Sequence, residues 1–346
     1  MRISQIERDG RGGHALITIL VPVYNEEEAV EIFLQEVRQH LPMLNLNYEF
    51  LFINDGSSDK TLTALLELRQ QHNDLRIIDL SRNFGKEAAM TAGLQNAKGD
   101  AVIIMDVDLQ EPPELIGQMI ARWREGYDVV YGRRVRRDSD SSLKRLTASG
   151  FYTWFNRIAD FKIPDDVGDF RLMDRAVVNA LNALPERVRF MKGLFAWVGF
   201  RTYAIDFERR ERQAGSSKFN YWRLWNFALD GITSFSTIPL RIWTYFGLGI
   251  AALAFIYGAF IIGRTLLFGV SVPGYASILT AILFLGGVQL IGLGVLGEYL
   301  GRVYMEVKQR PVYLASRIYG ASSQLGDHEQ AAPHSGRDDQ ERRAIG

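Results

Sequence analysis

Apolar blocks alternate with amphipathic stretches along residues 15–131. Four blocks, 16–26, 50–59, 75–80 and 103–110, contain apolar runs with the length and composition of buried strands. Between them, helix-like patterning predicts helices over 26–41, 60–72, 86–98 and 113–125. Strands separated by helical patterns of this length imply βαβ units and a largely parallel sheet, an α/β fold. Pro112 and Pro113 suit the first turn of the helix after the fourth strand.

The pattern becomes less regular between Arg133 and Arg212. Two amphipathic helices are expected, over 143–161 and 218–237, the second carrying Phe219, Tyr221, Trp222, Trp225 and Phe227. Aromatic amphipathic helices with basic residues suit a membrane interface; core-facing helices share the periodicity. The next feature favours the interface. Residues 242–262 and 275–297 contain no charged side chain, and each run is long enough to cross about 30 Å of hydrocarbon as a helix. Gly247, Gly249, Gly286 and Gly287 fit close helix packing in lipid and leave homo-oligomerisation open.

Arg209, Arg210, Arg212, Lys218, Arg223 and Arg241 precede the first run, Arg302, Lys308 and Arg310 follow the second, and Arg264 alone lies between. The positive-inside rule then places both ends of the hairpin in the cytoplasm. The expected organisation is a polar segment 1–14, a main domain 15–217, a juxtamembrane helix 218–240, a two-helix hairpin 241–300 and a cytoplasmic tail 301–346. Beyond about residue 321 the tail is polar and poor in aromatics, and disorder is expected.

Lys+Arg and Asp+Glu number 40 each, so bulk charge gives no argument for a nucleic-acid partner, and none is expected. The chain has no cysteine, which excludes disulfides, thiolate metal sites and cysteine nucleophiles. Its five histidines never fall at ligand spacing, which argues against histidine-bound zinc. The N-terminal residues lack the apolar core of a secretory signal, so a cytoplasmic start is expected.

The fourth strand runs out into Met105-Asp106-Val107-Asp108-Leu109-Gln110. Open α/β sheets present ligands at the carboxyl ends of their strands, and paired carboxylates are costly to bury without a partner. Hard oxygen ligands suit Mg²⁺ or Mn²⁺. The alternative is a strand end with two solvated turn aspartates.

The runs Val21-Pro22-Val23-Tyr24-Asn25-Glu26, Asn54-Asp55-Gly56-Ser57-Ser58-Asp59, Ser81-Arg82-Asn83-Phe84-Gly85-Lys86 and Asp106-Val107-Asp108 supply the context. In order and spacing they resemble the nucleotide-sugar domain of family 2 glycosyltransferases with the GT-A (Rossmann-like) fold. More narrowly they resemble the polyprenyl-phosphate sugar transferases, of the dolichyl-phosphate mannose synthase and bactoprenol glucosyltransferase types. The resemblance spans roughly Ala15 to Arg310. It implies inverting transfer of a hexose, glucose from UDP-glucose foremost, to undecaprenyl phosphate at the cytoplasmic face of the bacterial inner membrane. The product would serve cell-envelope glycan or lipopolysaccharide modification. N-acetylglucosamine, mannose, galactose or 4-amino-arabinose are alternative sugars, and a non-catalytic membrane adaptor is the alternative class. The chain has no Gln-x-x-Arg-Trp stretch, which disfavours a processive synthase.

The resemblance also implies roles. Pro22, Tyr24, Asn25, Glu26, Asp55, Arg82, Lys86, Asp106 and Asp108 would face the nucleotide sugar, and Asp106, Asp108 and Gln110 would hold the metal. Arg82 and Lys86 sit at a helix N-terminus, which attracts anions; a solvated or structural role is equally open to them. Asp59 reads as a helix cap. Asp169, within Asp165-Asp166-Val167-Gly168-Asp169-Phe170-Arg171-Leu172-Met173, would be catalytic with Asp108. It would orient the sugar, hold the metal region or tune the acceptor proton; strand-end capping is its structural alternative. Arg212, Ser217 and Lys218 would bind donor or lipid phosphate, although juxtamembrane basic residues also bind anionic lipids. Arg133 and Arg136 are candidates for an acceptor loop.

Overall fold

Alternate side chains of the first strand go to opposite faces: Ile17, Ile19, Val21 and Val23 join one buried cluster and Leu20 the other. The computed structural model describes residues 11, 14–44, 46–135, 167–208, 238–269 and 274–320. The helices expected over 143–161 and 218–237, the tail beyond 321, and Arg136, Arg212, Ser217 and Lys218 lie outside them.

The first half follows the sequence pattern as β1 (Leu16–Val23), α1 (Ala29–His40), β2 (Asn47–Asn54), α2 (Thr61–Gln71), β3 (Leu75–Leu80), α3 (Lys86–Asn96), β4 (Ala101–Ile104) and α4 (Leu115–Arg124). Next come β5 (Val129–Arg134), β6 (Val167–Asp174), α5 (Arg175–Ala183), α6 (Met191–Trp197) and β7 (Thr202–Phe207). The eight-stranded sheet has the order β7-β5-β6-β4-β1-β2-β3-β8, where β8 is Ala315–Tyr319. Strands β1 to β4 are parallel, whereas β6 lies antiparallel between β4 and β5. Residues of α1, α2 and α4 pack on one face and those of α3, α5 and α6 on the other. A Cβ at Gly93 would stand 2.0 Å from Leu20 Cδ1, which explains a glycine in the middle of α3.

A buried polar group ties this core together. Glu49 Oε1 on β2 accepts from Thr18 Oγ1 at 2.6 Å and Lys98 N at 3.0 Å, and Oε2 accepts from Arg76 Nη1 at 3.0 Å. Burial pushes the Glu49 pKa up, but the hydrogen bonds and the Arg76 charge outweigh it and hold the carboxyl below its usual range. The stabilisation is therefore fully present above the usual glutamate range and is lost as pH falls through the lowered value. Glu49→Ala strands Arg76 in the core and should cost roughly 3–5 kcal/mol. Melting of the full-length protein in detergent checks this, and the gap from wild type should close in acid.

Two long helices follow, α7 (Ile238–Phe268) and α8 (Tyr275–Lys308). Within them Ile242–Phe268 and Phe284–Lys308 have mean hydropathies of 2.1 and 1.3, are long and apolar enough to cross a membrane, and are not buried by the protein. At about 1.5 Å per residue, α8 extends roughly 50 Å, well past the hydrocarbon thickness. Its last turns meet the α/β domain: Glu306 accepts from the backbone N–H groups of Arg187 at 2.9 Å and Val188 at 3.1 Å. The Tyr313 hydroxyl then donates to Gln95 and accepts from Asn96 on α3. Strand β8 closes the edge of β3 in antiparallel pairing, Ile77 opposite Tyr319. The segment read from sequence as a tail, 301–346, thus supplies both the end of α8 and one strand of the sheet.

Candidate active site

Asp106 and Asp108 occupy the loop just beyond β4, at the carboxyl end of the parallel strands. The antiparallel register pairs Ile104 with Arg171, so Asp106, two residues beyond Ile104, and Asp169, two residues before Arg171, lie at the same end of the sheet. Helix α3 presents Lys86, its first residue, to both. Lys86 Nζ lies 2.7 Å from Asp106 Oδ1 and 2.7 Å from Asp169 Oδ2, so one ammonium bridges two carboxylates. Burial pushes the Asp169 pKa up, yet the charge and hydrogen bond of Lys86 outweigh this and hold it below the usual range. For Lys86 burial works downward, and the two carboxylates more than reverse it. Lys86 and Asp169 are therefore both charged at neutral pH.

Two further clamps shape the rim. Asp55, buried at the end of β2, accepts from Phe84 N at 2.8 Å and Gly85 N at 2.9 Å, tying the loop after β3 to β2. Burial nevertheless leaves the Asp55 pKa raised. Gly56 has φ +63°, and a Cβ there would stand 2.2 Å from the Arg82 carbonyl carbon, so the loop crosses where only glycine fits. Asn25, at φ 54°, joins the exits of β1 and β2: its N–H donates to Ser57 Oγ at 2.9 Å and its Oδ1 accepts from Ser58 N at 2.8 Å. Asp59 accepts from Thr61 N at 3.0 Å, the first residue of α2, but the N-cap position itself is Lys60, one residue later than the capping reading placed it.

These loops enclose a cavity of about 300 Å³, whose lining includes Pro22, Tyr24, Glu26, Asp55, Lys86, Asp106 and Asp108. Asn25 and Arg82 fall outside this lining; the Arg82 guanidinium lies 4.0 Å over the Phe84 ring and donates to Asn83 O. Gln110 is buried, with Oε1 lacking a hydrogen-bond partner, while its backbone N–H donates to Asp108 Oδ1 at 3.2 Å. Between them Leu109 adopts φ 52°, a left-handed conformation costing a bulky residue about 1–3 kcal/mol. Arg133 is engaged elsewhere, in a two-bond contact with Asp206 on β7 at 2.6 and 2.9 Å on the surface.

Sequence reasoning did not single out Glu111, Glu87 or Lys192. Glu111 is buried against Arg134 at 3.2 Å, and burial, followed by the Asp106 charge, pushes its carboxyl up to about 7. Glu87 Oε2 accepts from Met191 N at 3.1 Å; burial and then Asp169 push it to about 7. No spacing marks either glutamate in the sequence. Lys192 follows on α6, with Asp169 foremost among the charges acting on it.

The family model described as Glycosyl transferase family 2 matches residues 18–181, from β1 through most of α5, and so includes the carboxylates of the cavity. A glycosyltransferase of Synechocystis, itself named as uncharacterized, is 54% identical over 88% of this chain and 96% of its own length. The chain belongs to glycosyl transferase family 2. The family 2 domain here has the GT-A fold that the resemblance led us to expect, on a sheet that is mixed rather than largely parallel. A second model, the GtrB C-terminal hairpin, matches residues 238–303, which are α7 and most of α8. Identity is 52% to the prophage bactoprenol glucosyl transferase homolog of Escherichia coli K12, covering 87% of this chain and 99% of that one. It is also 52% to the bactoprenol glucosyl transferase of Shigella phage SfII, covering 88% and 98%. This family 2 protein is a glycosyltransferase, with two apolar helices following its catalytic fold.

Proposed function

We propose that the protein transfers glucose from UDP-glucose to undecaprenyl phosphate at the cytoplasmic face of the bacterial inner membrane. The observation that carries this reading is the 52% identity to bactoprenol glucosyl transferases across nearly the whole chain, apolar hairpin included. Two crossings return the chain to the side it left, and the pairing of β8 with β3 supports that arrangement. The basic residues flanking the hairpin put this side in the cytoplasm.

Asp106 and Asp108 line the cavity as hard oxygen donors of the kind that suit Mg²⁺ or Mn²⁺, and Gln110, whose buried Oε1 has no hydrogen-bond partner, is the third donor we assign. Among the described residues no group of three or more Asp, Glu, His or Cys is placed to hold an ion. Mg²⁺ is commonly held by one or two carboxylates together with substrate phosphates. When bound, such an ion takes up charge developing on the departing nucleoside diphosphate.

A phosphate monoester has its second pKa near 6, so the acceptor arrives largely as a dianion. One of its oxygens attacks the anomeric carbon, the bond from that carbon to the donor's phosphate oxygen breaks, and UDP leaves with the electron pair. The carbon inverts, giving a β-linked lipid-phosphate sugar. No proton has to be removed from the nucleophile. Asp169, ionised and pinned by Lys86, is therefore assigned to orienting the reacting sugar. Lys86 holds it in register with Asp106 and relieves the repulsion between the two carboxylates.

A panel of nucleotide sugars assayed with undecaprenyl phosphate, in Mg²⁺, Mn²⁺ or chelator, tests the reading. Transfer from UDP-glucose should exceed that from the other donors and stop with chelator. Preference for another sugar would overturn the glucose assignment. Full activity in chelator would overturn the metal assignment.

A further inference from the structure

We propose that a second cavity, beside Asp169 and formed by β5, β6, β7 and α6, receives the phosphate of the acceptor and the first carbons of its prenyl chain. The proposal rests on the function proposed above. This cavity is about 230 Å³, and its wall includes Tyr131, Arg171, Lys192, Phe195 and Phe200.

Charge separates the two cavities. Glu26, Asp55, Asp106 and Asp108 line the first, whereas the second has Arg171 and Lys192 and, among the described residues, no acidic side chain in its wall. Arg171 is only 5% exposed, and its guanidinium lies 3.8 Å over the Phe195 ring. One amino group donates to Gly168 O at 2.8 Å, but Nε is buried with no hydrogen-bond partner. Among the described residues neither Arg171 nor Lys192 forms an ion pair. Burial lowers the pKa of both, Arg171 to about 10, which leaves the Arg171 guanidinium cationic at neutral pH. A buried guanidinium with an unpartnered Nε, beside a half-buried lysine, is costly unless an anion joins it.

The position suits the chemistry. Asp169 and Arg171 are two apart on β6 and so point to the same face of the sheet. Lys86 connects Asp169 to the first cavity, and Lys192 senses the charges of both Asp169 and Lys86. An anion held by Arg171 and Lys192 thus lies next to the group assigned to the reacting sugar. The aromatic walls add what a free anion has no use for: an apolar surface for the carbons attached to the phosphate. Arg supplies a forked set of donors and Lys a point charge, the usual pair for a phosphate.

Lys192 is partly exposed, so Lys192→Gln should fold. The full-length protein in detergent is assayed with UDP-glucose and geranyl phosphate, a short soluble acceptor. Lys192→Gln should raise the geranyl phosphate KM about tenfold or more while leaving the UDP-glucose KM and the melting temperature unchanged, and Lys192→Arg should restore most of the loss. Calorimetric titration without donor forms a separate arm, using geranyl phosphate, inorganic phosphate and geraniol. Geranyl phosphate should bind most tightly and lose affinity in Lys192→Gln. An unchanged acceptor KM, or an equal rise in the donor KM, overturns the proposal. Inorganic phosphate binding as well as geranyl phosphate overturns it in favour of a free-anion site. Absence of transfer with every donor would instead sink the proposed function, and the titration would still judge the cavity.

Discussion

Asp108→Ala should abolish sugar transfer and leave the protein folded. Asp108 sits in the loop beyond β4, only partly buried, and its role in the fold includes accepting the backbone N–H of Gln110. Removing it deletes one hard-oxygen ligand of the proposed ion and frees the turn that carries Gln110. Electrostatic stabilisers of a leaving group are commonly worth about 10²–10³ in rate, and a metal ligand belongs at the upper end. Turnover of UDP-glucose should therefore fall at least about 10³-fold. The melting temperature should stay within a few degrees, and Mn²⁺ titration followed by electron paramagnetic resonance should show weakened binding. Activity near that of wild type would remove the metal assignment.

Asp169→Asn should have the next largest effect. The amide keeps the shape and one acceptor oxygen but loses the charge that balances Lys86, which then leans on Asp106 alone. We expect kcat to fall about 10²-fold, with a smaller change in melting temperature and little change in donor KM. Because the wild-type carboxyl is held below the usual aspartate range, its charge survives well into acid, and its stabilising contribution fades only below that range. Any loss of wild-type activity near pH 6 therefore belongs to another group, the acceptor phosphate first. An unchanged rate in Asp169→Asn would return the residue to a strand-end role.

What the sequence made legible follows from which surfaces are covered. Strands β1 to β4 are sandwiched between helices, so they carry nearly unbroken apolar runs that stand out without a structure. Strands β5, β6 and β7 include Arg133, Asp169, Arg171 and Asp206, and their charged residues break that signal. The aspartates after β4 were visible as a pair, but their bridge to Asp169 was not. It depends on β6 entering the sheet antiparallel beside β4, which periodicity does not encode. Lys86 was read as a basic residue at a helix start; the structure adds that it bridges two carboxylates at the cavity wall. Lys192 carries no motif at all. Its interest comes from a wall assembled by β5, β6, β7 and α6.

Strand β8 has a consequence for biosynthesis. Its partner β3 leaves the ribosome roughly 240 residues earlier, and both apolar helices are made in between. An open strand edge is a template for unwanted pairing, so the nascent enzyme needs its last segment to seal it. Completing the sheet thereby waits on synthesis of both apolar helices, and a chain truncated before β8 would keep the β3 edge open.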